Sequence, residues 1–176
     1  MARDHSRIFV SIWTDPAFLA LDRDAQRMYL VLLSQPRLSY CGVLDYVPAR
    51  LARLAADEDE ASVDHAVKLL EPDRFVVVDR STQELLIRSF VRRDGLLKTP
   101  NVTKAMVTAR ALVMSEQLRD VIDAELARAY QEDPTMAGWA GSGSQPGGLL
   151  VADVELYAKV IEGSANGSLN GSGATA

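Results

Sequence analysis

The chain has 176 residues, of which 48% are hydrophobic, so it can bury the core of one compact domain that carries appendages. Its single cysteine, Cys41, excludes an internal disulfide and argues against a cysteine-based zinc site within one chain. The N-terminus is charged, and the apolar run after it is too short for a secretory signal or a membrane span. We therefore expect a cytoplasmic protein without a membrane partner.

The net charge of -5 is distributed unevenly along the chain. Residues 88–110 carry six basic side chains against Asp94 alone, whereas residues 38–87 and 111–176 are strongly acidic. Salt confines the field of each charge to about 8–10 Å, so a local patch decides attraction to nucleic acid more than the total does. The basic segment makes nucleic acid the first partner to consider.

The predicted elements follow one another closely over the first 130 residues. Residues 8–13 are apolar and β-branched and predict an extended segment. Asp15 followed by Pro16 predicts a capped short helix, and Asp22 caps a second helix that ends at Pro36. Later come a short strand within 38–44, helices over 48–56 and 60–70, strands over 75–78 and 85–91 joined by a turn over 79–83, and helices over 102–114 and 115–130.

The order of helix, strand, two helices and hairpin is that of a winged helix-turn-helix. The predicted fold class is mainly α with a small β-ribbon, followed by C-terminal helices and a flexible tail. We predict a winged-helix domain with a helical extension over residues 1–131 and a flexible linker over 132–148. A short amphipathic helix over 149–162 and a disordered tail over 163–176 complete the chain.

The candidate DNA contacts lie on three of these elements. On the predicted recognition helix, only His65 and Lys68 can donate toward phosphates or guanine, and acids lie beside them. Arg80, at the wing tip, suits either a DNA contact or a solvated surface. After the hairpin, basic residues meet a helix N-terminus, which suits a DNA phosphate, with a solvated basic turn as the alternative. The predicted DNA-binding residues are Arg80, Arg88, Arg92, Arg93, Lys98, Asn101, Lys104, Lys68 and His65.

Catalytic motifs do not occur in the sequence. His5 and His65 have no cysteine or carboxylate at a metal-ligand spacing. The chain contains no phosphate-binding glycine-rich loop, no nucleophile elbow and no two-histidine helix motif. We therefore expect no enzymatic activity, no metal and no cofactor.

Two stretches of the chain resemble a known group of proteins. The first includes IFVSIW at 8–13, DPAFLAL at 15–21, AQRMY at 25–29 and LLSQP at 32–36. The second includes FVVVD at 75–79, IRSFVRRDG at 87–95 and KTPNV at 98–102. Together they resemble small winged-helix proteins of actinobacteria and their phages over about residues 6–130. The layout is also similar to the N-terminal domains of phage replisome organisers and DnaD-like primosomal proteins.

This resemblance implies a DNA-binding domain that acts in replication initiation or transcription control, with Arg92, Arg93 and Lys98 as DNA contacts. Double-stranded DNA is then the expected partner. The sequence leaves a second role open, that of a protein-interaction adaptor which keeps the winged-helix fold but uses its acidic residues 57–64 and the segment 149–161 on a protein. Pairing of two copies, or contact with a protein partner, through helices 115–130 or 149–162 is open as well.

Overall fold

A computed structural model describes residues 6–139, which form a mainly helical fold with a small three-stranded antiparallel sheet. The helices are α1 (Pro16–Ala20), α2 (Arg23–Leu33), α3 (Pro48–Leu51), α4 (Glu60–Leu70), α5 (Phe90–Arg93), α6 (Pro100–Ala111) and α7 (Glu116–Glu132). The strands are β1 (Val43–Asp45), β2 (Val76–Asp79) and β3 (Glu84–Ile87). Four 3-10 turns lie at Val10–Thr14, Ala52–Leu54, Leu96–Lys98 and Ala137–Trp139.

Side-chain caps explain where several helices begin. The Asp15 carboxylate accepts from the Ala17 and Phe18 amides at the start of α1, and Asp22 accepts from the Ala25 amide at the start of α2. The Ser115 hydroxyl accepts from the Leu118 amide and starts α7. Each cap satisfies amides that have no partner within the helix and contributes about 1 kcal/mol. The caps predicted at Asp15, Asp22 and Ser115 are thus confirmed.

The sheet has the order β1-β3-β2. Leu86 of β3 pairs with Val43 on one side and Val77 on the other, so the short segment predicted beside the hairpin is its third strand. A four-residue turn over 80–83 joins β2 to β3, and Gln83 adopts a positive φ of 56° there. β3 is the central strand, and its Leu85, Leu86 and Ile87 are all apolar and fully buried.

The core lies between the sheet and the helices α2 and α4, which pack against each other. Met28, Leu32, Val63, Val67 and Leu86 are completely buried within it. Burying a side chain of this size stabilises the fold by roughly 1.5–3 kcal/mol. The C-terminal helix α7 packs against β2 and α5. This packing connects the C-terminal helices to the sheet.

Two predicted extended segments are helical instead. Residues 8–13 contain a 3-10 turn, Val10–Thr14, because no strand lies beside this segment to pair with it among the described residues. The second hairpin strand ends at Ile87 rather than at residue 91. There the chain turns into α5, which buries Phe90 and Val91 and places the Phe90 ring against Gly42.

Other boundaries shift by a few residues. The helix predicted over 48–56 is α3 followed by the 3-10 turn Ala52–Leu54, and the helix predicted over 102–114 spans Pro100–Ala111. The packed part of the chain continues beyond the predicted end at residues 131–134, because Trp139 is buried, meets Tyr130 edge-to-face and donates to the Asp133 carbonyl. The rest of the predicted linker, the helix 149–162 and the tail 163–176 lie outside the described residues.

Candidate nucleic-acid interface

Some basic side chains of residues 88–110 form ion pairs within the protein. Arg88 donates from Nη1 to Glu125 Oε1 at 2.8 Å, and Arg92 donates from Nε to Glu125 Oε2 at 3.1 Å. Arg92 Nη1 also lies 2.7 Å from Glu132 Oε1, and Arg128 Nη1 lies 2.7 Å from Glu125 Oε1. Glu125 itself is almost completely buried. Arg88 and Arg92 therefore hold α7 in place, and carboxylates already compensate their charge.

Arg110 has the same kind of role at the end of α6. Its guanidinium group forms a two-pronged hydrogen-bonded pair with the buried carboxylate of Asp123 on α7. A buried carboxylate needs such a partner, because an unpaired charge in the interior is very costly. Three of the six basic side chains in residues 88–110 thus stabilise the packing of α7.

The other three basic side chains of this segment, Arg93, Lys98 and Lys104, are exposed. The chain reaches Lys98 through a turn at Gly95, whose φ of 76° suits glycine. Lys104 lies three residues after Asn101 on α6, so the two side chains share one face of the helix. We call Arg93, Lys98, Asn101 and Lys104 the basic patch.

The start of α6 adds partial positive charge beside the basic patch. Pro100 occupies its first position, and the Thr99 side chain makes no capping hydrogen bond. Amides in the first turn of a helix attract anions through their aligned dipoles. A phosphate that approaches Lys98 and Asn101 would meet both kinds of charge.

Arg80, predicted at the tip of the hairpin, folds back onto the protein. Its Nη1 and Nη2 lie 3.2 and 3.0 Å from the two carboxylate oxygens of Glu71, and Nη2 is 3.9 Å from Asp64 Oδ1. The Glu71 carboxylate is the main reason that the pKa of Arg80 is raised. Arg80 is still half-exposed, but a DNA phosphate would have to compete with Glu71 for it.

The exposed face of α4 carries little net positive charge. Lys68 Nζ lies 2.6 Å from Asp64 Oδ2, and the Tyr46 hydroxyl donates to Asp64 Oδ1 at 2.9 Å. Hydrogen bonds from Lys68 and then Tyr46 lower the pKa of Asp64. His65 is exposed, and acidic residues 57–60 precede it. This face offers a weaker attraction to phosphates than the basic patch does.

A cavity of about 140 Å³ beside the basic patch is lined by arginines that lie far apart in the sequence. Arg7 and Arg74 line it together with Arg88, Arg92 and Arg93. Arg7 and Arg93 are 86 positions apart in the chain, so no local pattern reveals that they are neighbours. Their only sequence signal is that each is an arginine in a segment of few acidic residues.

Among residues 6–139, no three His, Cys, Asp or Glu side chains are grouped in a way that could hold a metal ion. Cys41 is buried, and burial raises the pKa of its thiol, so it serves as a small apolar side chain of the core. Within the same range, every helix is too short or too polar to cross a bilayer.

Comparisons with protein families, with curated proteins and with solved structures found no match to this chain.

Proposed function

We propose that the chain binds double-stranded DNA on a winged-helix scaffold. The order α2, β1, α3, α4, β2 and β3, with the sheet order β1-β3-β2, supports this scaffold. In it α4 is the recognition helix, and the turn over 80–83 is the tip of the wing. The role that we propose is in replication initiation or transcription control, in the cytoplasm.

The observation that carries the proposal is the basic patch. Arg93, Lys98 and Lys104 are exposed, and none of them takes part in the ion pairs identified among residues 6–139, in contrast with Arg88, Arg92 and Arg110. Charges of this kind are available to neutralise phosphates and to release counterions. The patch also borders the uncapped first turn of α6.

The geometry favours phosphate contact over base reading. His65 and Lys68 are the basic side chains that α4 exposes, and Lys68 is already paired with Asp64. Contacts to phosphates position a protein on DNA without reading its sequence. We expect modest affinity with a strong dependence on salt, and a small preference for particular sequences.

Fluorescence anisotropy of the full chain with a labelled duplex, across a series of salt concentrations, tests this function. The variant Lys98→Ala/Lys104→Ala removes two exposed charges without touching an ion pair. If both contact phosphates, the slope of log K against log salt becomes less steep by roughly 2. The control is Arg23→Ala/Arg37→Ala, which removes two exposed charges elsewhere, each from a surface ion pair of little energetic weight, and leaves the slope unchanged. Equal slopes for both variants would contradict the proposal.

A specific observation also favours the adaptor as a second candidate. The N-terminal segment exposes a group of large apolar side chains, with Val10 83% and Trp13 54% exposed beside Ile8 and Phe9. Contiguous exposed apolar surface marks protein interaction sites. An absence of DNA binding even at low salt would make this the leading function. The segment 149–161, which the adaptor role was also expected to use, lies outside the described residues.

A further inference from the structure

The cavity near α5 lies between the N-terminal segment and the junction of β3 with α5. Its volume of about 140 Å³ is close to that of cavities of roughly 150 Å³ that accept a benzene molecule. It is therefore large enough for one ring-sized organic group, with the exposed Arg93 in its lining available to an anion attached to that group, and too small for a typical drug-sized ligand.

Most of the charged side chains that line this cavity are basic. Among the described residues, five arginines and two aspartates line it, and Glu125 and Glu132 compensate the charges of Arg88 and Arg92. One of the aspartates, Asp15, caps α1 through the Ala17 and Phe18 amides, so it already has its partners. Arginine is the side chain best suited to phosphate, because its planar group presents several donors in a fixed fork.

Arg88 and Arg92 reach the cavity with their orientation fixed. Arg88 donates from Nε to the Arg74 carbonyl and from Nη1 to Glu125. Arg92 donates from Nε to Glu125 and from Nη1 to Glu132. In the hydrogen bonds identified among residues 6–139, neither Nη2 is used. Each guanidinium group has five N–H donors, so both can still donate to a ligand. Binding a ligand would therefore cost little additional side-chain entropy at these two arginines.

Arg7 and Arg93 also line the cavity. Arg93 is exposed at the end of α5. Arg7 lies over the turn at Gly95, since a Cβ placed on Gly95 would be 2.6 Å from Arg7 Nη1. Burial raises the pKa of Tyr29 in the cavity wall; the Ser89 side chain and the charges of Arg93 and Arg88 lower it, and the charge of Asp15 raises it.

The cavity also has apolar lining. Ile8, Phe9 and Ile12 from the N-terminal segment contribute to it, and Phe9 is only half-exposed. Tyr29 and Phe75 line the cavity too, with ring centroids 5.4 Å apart in an edge-to-face arrangement. Such a lining accepts a small ring or another compact apolar group.

We propose that this cavity is a binding site for a small phosphate monoester, with the phosphate on the arginines and the organic group against Ile8, Phe9 and Ile12. The site goes beyond DNA binding, because Lys98 and Lys104 of the basic patch do not line the cavity. Arg93 belongs to both, so it does not separate the two functions, whereas the lysine pair does.

Isothermal titration calorimetry of the full chain in phosphate-free buffer tests the site with phenyl phosphate as the probe. Phenyl phosphate should bind more tightly than inorganic phosphate, which lacks the ring, and phenol should not bind measurably. The variant Arg93→Gln removes one exposed positive charge and its forked donor group, and should weaken binding of phenyl phosphate about tenfold. Arg23→Gln, on α2, is the matched control and should bind as the unsubstituted chain does.

The proposal would be overturned by no heat with phenyl phosphate at millimolar concentration, by equal affinity in Arg93→Gln, or by equal affinity for phenyl phosphate and inorganic phosphate. A competition arm distinguishes the source of the phosphate. In this arm, a short duplex competes with phenyl phosphate for the variant Lys98→Ala/Lys104→Ala. Full displacement of phenyl phosphate would assign the cavity to the DNA backbone and overturn the small-molecule site. Binding of phenyl phosphate by a chain that fails to bind DNA would support the site and leave only the DNA function refuted.

Discussion

Arg92 on α5 donates from Nε to Glu125 Oε2 on α7 at 3.1 Å, and this pair connects the basic segment to a buried carboxylate 33 positions away in the chain. The side chain of Glu125 is only 2% exposed and that of Arg92 19% exposed. Arg88 and Arg128 contact the same carboxylate. The relationship explains why part of the positive charge in residues 88–110 does not face solvent, and it determines which substitutions are informative.

Glu125→Gln should lower the free energy of unfolding by about 3 kcal/mol, because it leaves the largely buried Arg88 without a compensating charge and Arg92 with only the exposed Glu132. Urea unfolding followed by circular dichroism measures the effect. Glu132→Gln is the control, since Glu132 is 57% exposed and also contacts Arg92, and it should cost less than about 1 kcal/mol. Equal losses in the two variants would show that burial of Glu125 has no energetic consequence.

Gly42→Ala should destabilise the fold by about 2–4 kcal/mol, from the left-handed backbone and from overpacking. Gly42 has a φ of 83°, and a Cβ there would lie 2.7 Å from the Phe90 Cβ. Gly95→Ala is the matched control, with a φ of 76° but only the mobile end of Arg7 as its nearest neighbour. It should cost about 1–2 kcal/mol. Thermal unfolding of both variants checks the difference, and a larger loss at Gly95 would contradict the packing of Gly42 on Phe90.

Gly138→Ala should displace Trp139 from its buried position. A Cβ on Gly138 would lie 2.6 Å from the Leu97 carbonyl oxygen and 2.9 Å from the Leu97 Cα, and a backbone cannot move aside as a side-chain end can. In a Trp13→Phe background, the fluorescence of Trp139 should shift to longer wavelength as water reaches the ring. Ala137→Ser, at an exposed neighbouring position, should leave the emission unchanged. An unshifted spectrum in Gly138→Ala would contradict the close packing of Gly138 on the Leu97 backbone.

Asp79→Asn should make the free energy of unfolding fall less steeply as the pH is lowered in the acidic range. Hydrogen bonds from the Ser115 and Ser81 side chains lower the pKa of Asp79 to about 2. The unfolded value is about 3.9, so this carboxylate contributes stability above pH 4, and the contribution disappears as the pH falls from about 4 to 2. Urea unfolding at pH 5, 3.5 and 2.5 measures the slope.

The exposed carboxylate of Asp24 provides the control for that experiment. Asp24→Asn should retain the slope of the unsubstituted chain between pH 4 and 2. A slope in Asp79→Asn as steep as that of Asp24→Asn would show that the hydrogen bonds of Asp79 are not lost on acidification.

Local signals explain which parts of the fold were predictable. Asp15, Asp22 and Ser115 mark helix starts because a side-chain oxygen reaches amides only two or three residues away. The apolar period of α4 predicts its buried face, with Val63, Ala66, Val67 and Leu70 all inside. The end of β3 was not predictable in this way, because Phe90 and Val91 are as apolar as the strand and only the packing of Phe90 on Gly42 distinguishes them.

The candidate site was predictable only in part. Net charge along the chain indicated the segment that contains the basic patch, but it treated Arg88 and Arg92 as equivalent to Arg93. The difference comes from Glu125 and Glu132, which lie more than 30 positions away and enter the site through the packing of α7 on α5. Whether the patch contacts DNA stays a prediction.

The sequence by itself determined where the capped helices α1, α2 and α7 begin, which faces are apolar and where positive charge is concentrated, because each of these depends on residues within about two helical turns of one another. The tertiary structure alone decided which arginines are paired with buried carboxylates and which face solvent. It also decided that Arg7 and Arg74 join Arg88, Arg92 and Arg93 around one cavity. The physical reason is that charge compensation and cavity formation depend on distance in space, which is set by how distant apolar faces pack.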